Sequence, residues 1–192
     1  MSNAFSRGGR IAFGLVASLL AACLPQGAPV LAAEHLSADQ VRAMAAGGSG
    51  AKPDLSGKDM SGDDLHGLDL SGANLSGANL SGAKLHGVKL VGADLQGADL
   101  IGADLTFAWI MRANFNHARL RGATMQTIVT SLGMENTRDQ AATFVGADFS
   151  GASITVHFSF DDMRGANFSH ANMTVVIANQ SMGLIRTEFN SA

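Results

Sequence analysis

The sequence predicts an all-β fold, a solenoid of very short strands, and three observations carry the prediction. An apolar residue stands at position 55 and at every fifth position to 125: mostly leucine, with Met60, Ile110, Phe115 and Met125 as variants. Glycine fills every fifth position from 57 to 102. Alanine holds most positions two before the apolar residue from Ala73 to Ala123. Self-similarity at a fixed period marks a repeat architecture. An α-helix cannot use this period, because five residues turn it by about 500° and the leucines would spiral round the cylinder. Its interior glycines would each cost roughly 1 kcal/mol against alanine. A straight strand fails too, since an odd spacing throws alternate leucines onto opposite faces. Collagen needs glycine at every third position.

A chain that turns once per repeat satisfies the pattern. Alanine and the leucine two residues later then face inward from a short strand, and the Asp or Asn between them faces out. Glycine takes the corner, where a Cβ would obstruct the bend. Successive coils stack about 4.8 Å apart and share backbone hydrogen bonds. The units "ANLSG" (73–77), "ADLQG" (93–97) and "ADLIG" (98–102) resemble the pentapeptide-repeat family, over about residues 53–178. The resemblance implies a right-handed quadrilateral β-helix with one pentapeptide per side. The layout of a leader, a short N-terminal helix and then repeats also resembles exported bacterial members of unassigned function. With four repeats per coil, residue n lies under residue n+20. The outward columns then read Asp54, Asn74, Asp94, Asn114; Asp64, Lys84, Asp104; and Asp69, Lys89, Trp109. Opposite charges on adjacent rungs stabilise and like charges destabilise, so coil stacking accounts for most of the charge.

The elements follow in chain order. Arg7 and Arg10 precede "IAFGLVASLLAACL" (Ile11–Leu24), an apolar run without charge. It is shorter than the twenty or so residues that span a bilayer. Residues 1–33 therefore read as a Sec-type bacterial signal peptide cut near Ala32 or Ala33, which makes the protein periplasmic or secreted. Cys23, the single cysteine, ends "LAAC", which resembles a lipoprotein lipobox; lipidation there is the competing route and the one that would involve a membrane. Residues 34–52 read as a short helix and linker. Ser37 and Gln40 form a capping-box pattern, "ADQVRAMAA" predicts a helix over 38–46, and Gly47-Gly48 ends it. Leu36, Val41 and Met44 give it an apolar face suited to covering an open solenoid end. Residues 53–192 are the β-helix. Its phase is lost after Met125 and resumes at Phe144, so about 126–141 reads as a loop or one distorted coil. Phe158 arrives one residue early, with Met163, Phe168 and Met173 on the new register. Phe and Met in place of Leu imply a wider or less regular core there. The chain stops at "TEFNSA", with Phe189 as an apolar centre and no visible cap. That open β-edge predicts a homodimer through the C-terminal end or a chain truncated at Ala192.

The formal net charge of −3, with no polybasic or polyacidic block, points away from nucleic acid. There is no Rossmann fingerprint and no HExxH, and "GAKPDLSGK" lacks phosphate-loop spacing. A filled solenoid has no concave, water-excluding wall for catalysis, so a non-enzymatic protein without cofactors is expected. His66 and His86 are twenty apart and should stack. With Asp64 or Asp104 they would make a thin metal site against the usual four ligands, and no metal ligand is assigned. The candidate protein-binding patch is "TFAWIM": Phe107 in glycine's corner slot, Trp109 in the outward Asp/Asn slot and Met111 in the next outward slot. Lys89 lies below Trp109, placed for a cation–π contact. A loop at 126–141 folding back would cover them. The resemblance also brings in members that mimic DNA and bind type II topoisomerases (gyrase), giving quinolone resistance. That role needs a cytoplasmic location and a continuous acidic surface. The export signal and interrupting lysines favour a structural or protein-interaction module whose partner is another protein. A lipid-anchored envelope scaffold through Cys23 is the third reading.

Overall fold

From Asp54 to Asp104 each five-residue unit makes one parallel backbone bridge to the unit twenty residues further on. Asp54 pairs with Asn74, Asn74 with Asp94 and Asp94 with Asn114, and three more columns run through Asp59, Asp64 and Asp69. The computed structural model describes residues 34–47, 52–126, 138–155 and 161–174. The leader with Cys23, residues 127–137, Phe158 and the C-terminal end expected to pair or to be truncated lie outside the described residues.

One unit shows where the backbone donors go. Ala73 N–H closes its own turn on Leu70 O at 3.0 Å, and Asn74 N–H reaches down to Pro53 O at 3.0 Å. Leu75 and Gly77 N–H reach up to Asp94 O at 2.7 Å and Gln96 O at 2.9 Å. The fifth donor, Ser76 N–H, goes to the Asn74 side-chain oxygen at 3.1 Å. The same bond recurs from Ser56 to Asp54, Ser71 to Asp69, Gln96 to Asp94 and Thr106 to Asp104. Buried or half-buried N–H groups left without an acceptor are costly, so the outward Asp/Asn slot completes the backbone as well as tuning charge. Amide donors link the columns too, Asn74 to Asp54 at 3.0 Å and Asn114 to Asp94 at 2.9 Å.

The inward slots are filled as expected. The leucines standing at every fifth position between 55 and 105 and the alanines between Ala73 and Ala123 are fully buried. At Gly92 the corner φ is +66°, a left-handed conformation that glycine adopts without the Cβ penalty. In the second block Phe115 stacks on Phe144 at 4.9 Å and Phe149 on Phe168 at 4.8 Å. The larger side chains are therefore taken up by ring stacking at the coil spacing. Asp161 occupies an inward alanine slot, buried, and its carboxylate accepts from Ala142 N–H at 2.8 Å.

The N-terminal end is closed by α1 (Ala38–Ala46), with both capping-box bonds between Ser37 and Gln40. Val41 and Leu36 are buried. Met44, expected on that face, is exposed, and Ala38 and Ala45 pack against the core in its place. Residues 34–36 are more than linker, since His35 bridges Asp59 and extends the ladder below the first coil. Arg42 donates to Asp64 O at 2.6 Å and ties the helix to that coil.

The interruption is now measured by register. Asn114, Arg119 and Thr124 pair with residues twenty-nine further on, nine more than a regular coil. The three-stranded parallel sheet of β1 (Thr124–Gln126), β2 (Ser153–Thr155) and β3 (Asn172–Met173) crosses this change. Phe107 N–H still reaches Gln126 O, and Arg112 N–H reaches Gln140 O, both at 3.0 Å. The ladder thus holds through Gln126 and is restored at the 3-10 turn Arg138–Gln140, so the register changes between these two points. Thr143 then pairs with Asp162, nineteen on, which is the one-residue step read from the sequence.

Two outcomes are expected. An added Cβ at Gly92 meets nothing, whereas at Gly146 it lies 2.7 Å from His117 Nδ1. Gly146→Ala should lower the urea midpoint more than Gly92→Ala, whose cost is the left-handed backbone alone, about 1–2 kcal/mol. The two should match in a His117→Gly background. Second, hydrogen bonds hold the Asp54, Asp59 and Asp69 carboxyls below 3.8, the serine side chain two residues on being the largest cause in each. A native pKa below the unfolded value gives stability that is complete above that value and lost as pH falls through the native one. Urea midpoints should be flat near neutrality and drop below about pH 4, with a shallower drop in Asp54→Asn.

Candidate interaction surface

Three consecutive corners, Phe107, Arg112 and His117, keep the left-handed turn without glycine, at φ 58°, 59° and 59°. Such conformations cost L-residues roughly 1–2 kcal/mol each. All three corners belong to one coil, directly below the change of register. The sequence signal was available, since the unbroken glycine column stops at Gly102. Only Phe107 of the three was singled out from it.

Phe107 is exposed, at 47 % of its full accessibility, although its ring meets His86 edge-on at 5.2 Å. Trp109 is half-buried and bridges Lys89 on the coil below. The Lys89 ammonium lies 5.8 Å from the Trp109 ring centre, within cation–π range. It is also 3.7 Å from Asp69. Met111 departs from the expectation that three apolar groups face out together, because it is 1 % exposed. Arg112 donates from Nε to Asp139 O at 2.8 Å and from Nη2 to the Asp139 carboxylate at 3.2 Å, bringing the 138–140 turn over this part of the coil.

The two histidines are drawn apart chemically. His66 Nδ1 is 2.7 Å from the Asp64 carboxylate, and His86 turns to Phe107. Among the described residues no group of three or more His, Cys, Asp or Glu side chains is placed to hold a metal. The acidic columns are interrupted by cations: Lys84 lies 3.7 Å from Asp64, and Arg119 is 2.9 Å from Asp99. Among the described residues no helix is long and apolar enough to cross a membrane.

The family model for pentapeptide repeats matches eight copies, in overlapping segments between residues 52 and 126. A pentapeptide-repeat protein of the Arabidopsis thaliana thylakoid lumen shares 30% identity over 68% of this chain and 71% of its own, with a TM-score of 0.25. The chain belongs to the pentapeptide-repeat family. A second solved relative, a pentapeptide-repeat protein of the cyanobacterium Cyanothece, is 23% identical. That match covers 65% of this chain and 60% of the relative, with a TM-score of 0.29. A plasmid-mediated fluoroquinolone resistance protein is 22% identical, covering 72% and 80% of the two chains with a TM-score of 0.25. No curated protein matches. This pentapeptide-repeat protein therefore forms a right-handed β-helix.

Phe107→Gly tests whether the ring serves folding. Removing it relieves a left-handed Phe, so thermal unfolding should show stability unchanged or raised by up to about 1 kcal/mol. A clear loss would mean that the His86 contact holds the coil together.

Proposed function

We propose that this protein is a non-enzymatic, exported protein-interaction module, a four-sided β-helix that docks another protein through Phe107, Trp109 and Lys89. The exposed Phe107 ring on a strained backbone carries the reading. Glycine would turn that corner at lower cost, and the ring adds little to the filled core. Aromatic groups with a desolvatable cation beside them are the residue types that anchor protein interfaces. Among the described residues the interior is filled by leucine and alanine, which supports a role without catalysis. Export rests on residues 1–33, and Cys23 lipidation would make the same module a membrane-anchored scaffold. The topoisomerase-binding alternative needs uninterrupted carboxylate columns, and the pairing of Lys84, Lys89 and Arg119 with Asp64, Asp69 and Asp99 weighs against it.

The test expresses the full chain in a bacterial host and determines its mature N-terminus by mass spectrometry. A start near Glu34 supports export, a lipidated Cys23 the scaffold, and a retained leader removes both. Photo-crosslinking at position 106 should then trap a discrete envelope protein, with at least a fivefold loss in Phe107→Gly and Trp109→Ala. Equal trapping by the unsubstituted and substituted chains would sink the docking role.

A further inference from the structure

The charges around Phe107 are arranged so that the surface complements itself. The first three coils are 53–72, 73–92 and 93–112, and they turn one shared corner at Gly67, Gly87 and Phe107. On one side of that corner the outward column reads Asp64, Lys84, Asp104, and on the other Asp69, Lys89, Trp109. The ion pairs within these columns are long and open to solvent. Lys84 and Lys89 each stand 3.7 Å from the aspartate below, with side chains 66% and 47% exposed. Asp104 accepts from Thr106 N–H at 2.9 Å and makes no ion pair among the described residues. One coil below the Phe107 ring, Gly87 leaves a notch, since a Cβ there would meet nothing within 4 Å.

We propose that this surface binds a second copy of the chain, antiparallel, about a twofold axis lying between the second and third coils. In a twofold interface, residue i meets j and j meets i. This axis sets the second coil of each copy against the third coil of the other. Each Phe107 then faces the notch at Gly87 of the other copy. The two rings lie one coil apart, about 4.8 Å, which is within aromatic pairing range. Lys84 comes opposite Asp104 of the other copy and Lys89 opposite Trp109, each in both directions. The other arrangements bring like charges together, which interfaces avoid. A parallel pair sets Lys84 on Lys89 and Asp64 on Asp69. An axis level with the second coil sets Lys84 on Lys84, and one level with the third sets Asp104 on Asp104. The patch is small against the roughly 20–30 residues a side of a standard interface. The pair is therefore weak, with a Kd on the order of 100 μM. It rests on the reading of Phe107 and Trp109 as a docking surface, which the second copy occupies until a tighter partner displaces it.

Sedimentation equilibrium of the full chain carrying Cys23→Ser should show the mass rise from one copy towards two between about 20 and 500 μM, a range that brackets this Kd. Phe107→Gly should weaken the pairing by about tenfold or more, as loss of a central aromatic anchor does. Gly87→Asn fills the notch with a residue that tolerates the left-handed corner, and should weaken it as much. Gly97→Asn, at a different corner with the same φ of 66°, should leave it unchanged. Cross-linking reads the register. His66 and Gln126 are exposed and stand three coils apart in one chain, and the proposed axis sets each opposite the other. His66→Cys mixed with Gln126→Cys, both in the Cys23→Ser background, should give the mixed dimer under a short bis-maleimide. Neither variant alone should cross-link, because like residues of the pair lie about 14 Å apart along the axis. A chain that stays monomeric throughout the range overturns the proposal. So does pairing that survives Phe107→Gly, an equal loss in Gly87→Asn and Gly97→Asn, or a mixed dimer no more abundant than the like ones. The two readings fail separately. A monomeric chain that still traps an envelope protein from position 106 removes the pair and keeps the docking role, and a dimer that traps no such protein does the reverse.

Discussion

A chain that turns every five residues has five backbone N–H groups per turn to satisfy, without a helix and with strands too short to do it alone. This protein divides them among the coil above, the coil below, its own turn and one side chain. The first three are geometric consequences of stacking. The fourth explains a residue choice, because the N–H after each leucine has its acceptor in the Asp or Asn just before that leucine, as between Ser76 and Asn74. The corner closes the scheme, since a left-handed residue at Gly92 and its equivalents redirects the chain. Inward alanine and leucine then fill whatever width remains. Every coil depends on its neighbours, so stability is a sum over interfaces. The open N-terminal edge is accordingly closed by Glu34–Leu36 and α1.

The same scheme shows where the molecule departs from uniformity. Between Phe107 and His117 the corners carry side chains that strain the backbone, and each side chain has a distinct contact. Phe107 leans on His86, Arg112 holds Asp139, and the His117 ring lies over Gly146. Strain of this kind persists only where surrounding structure fixes it, and here the backbone N–H groups of Phe107, Arg112 and His117 all reach the coil above, at Gln126, Gln140 and Val145. The register changes by nine residues directly above this coil. The individuality of the protein is thus concentrated on one coil and the turn above it, and the regular columns serve as scaffold.

Much of the fold was legible because the period is strict. Leu75 and Ala73 inward, Asn74 outward and Gly77 at the corner follow from spacing and sterics. The pairing of Lys89 under Trp109 follows from the twenty-residue coil. The helix over 38–46 was legible from Ser37, Gln40 and Gly47. Met44 was misplaced because a nine-residue helix shows too few turns for periodicity to choose between faces, and the narrow solenoid end accepts the smaller Ala38 and Ala45. Met111 was misplaced because its slot is outward by local rule. The rung above it is taken by Gln140, whose place depends on where a non-repeating stretch rejoins the ladder.

The sequence by itself determined the coil: which residues fill, turn and face out, and which stack on which. Those properties are local and repeated, and a small error in one repeat is corrected by the next. Only the tertiary structure decided which outward residues are free. It left Phe107 exposed, drew Lys89 over Trp109, turned His66 to Asp64 and His86 to Phe107, and placed Arg112 against Asp139. Those outcomes depend on contacts between segments whose separation no longer obeys the period, and spacing carries no information about them.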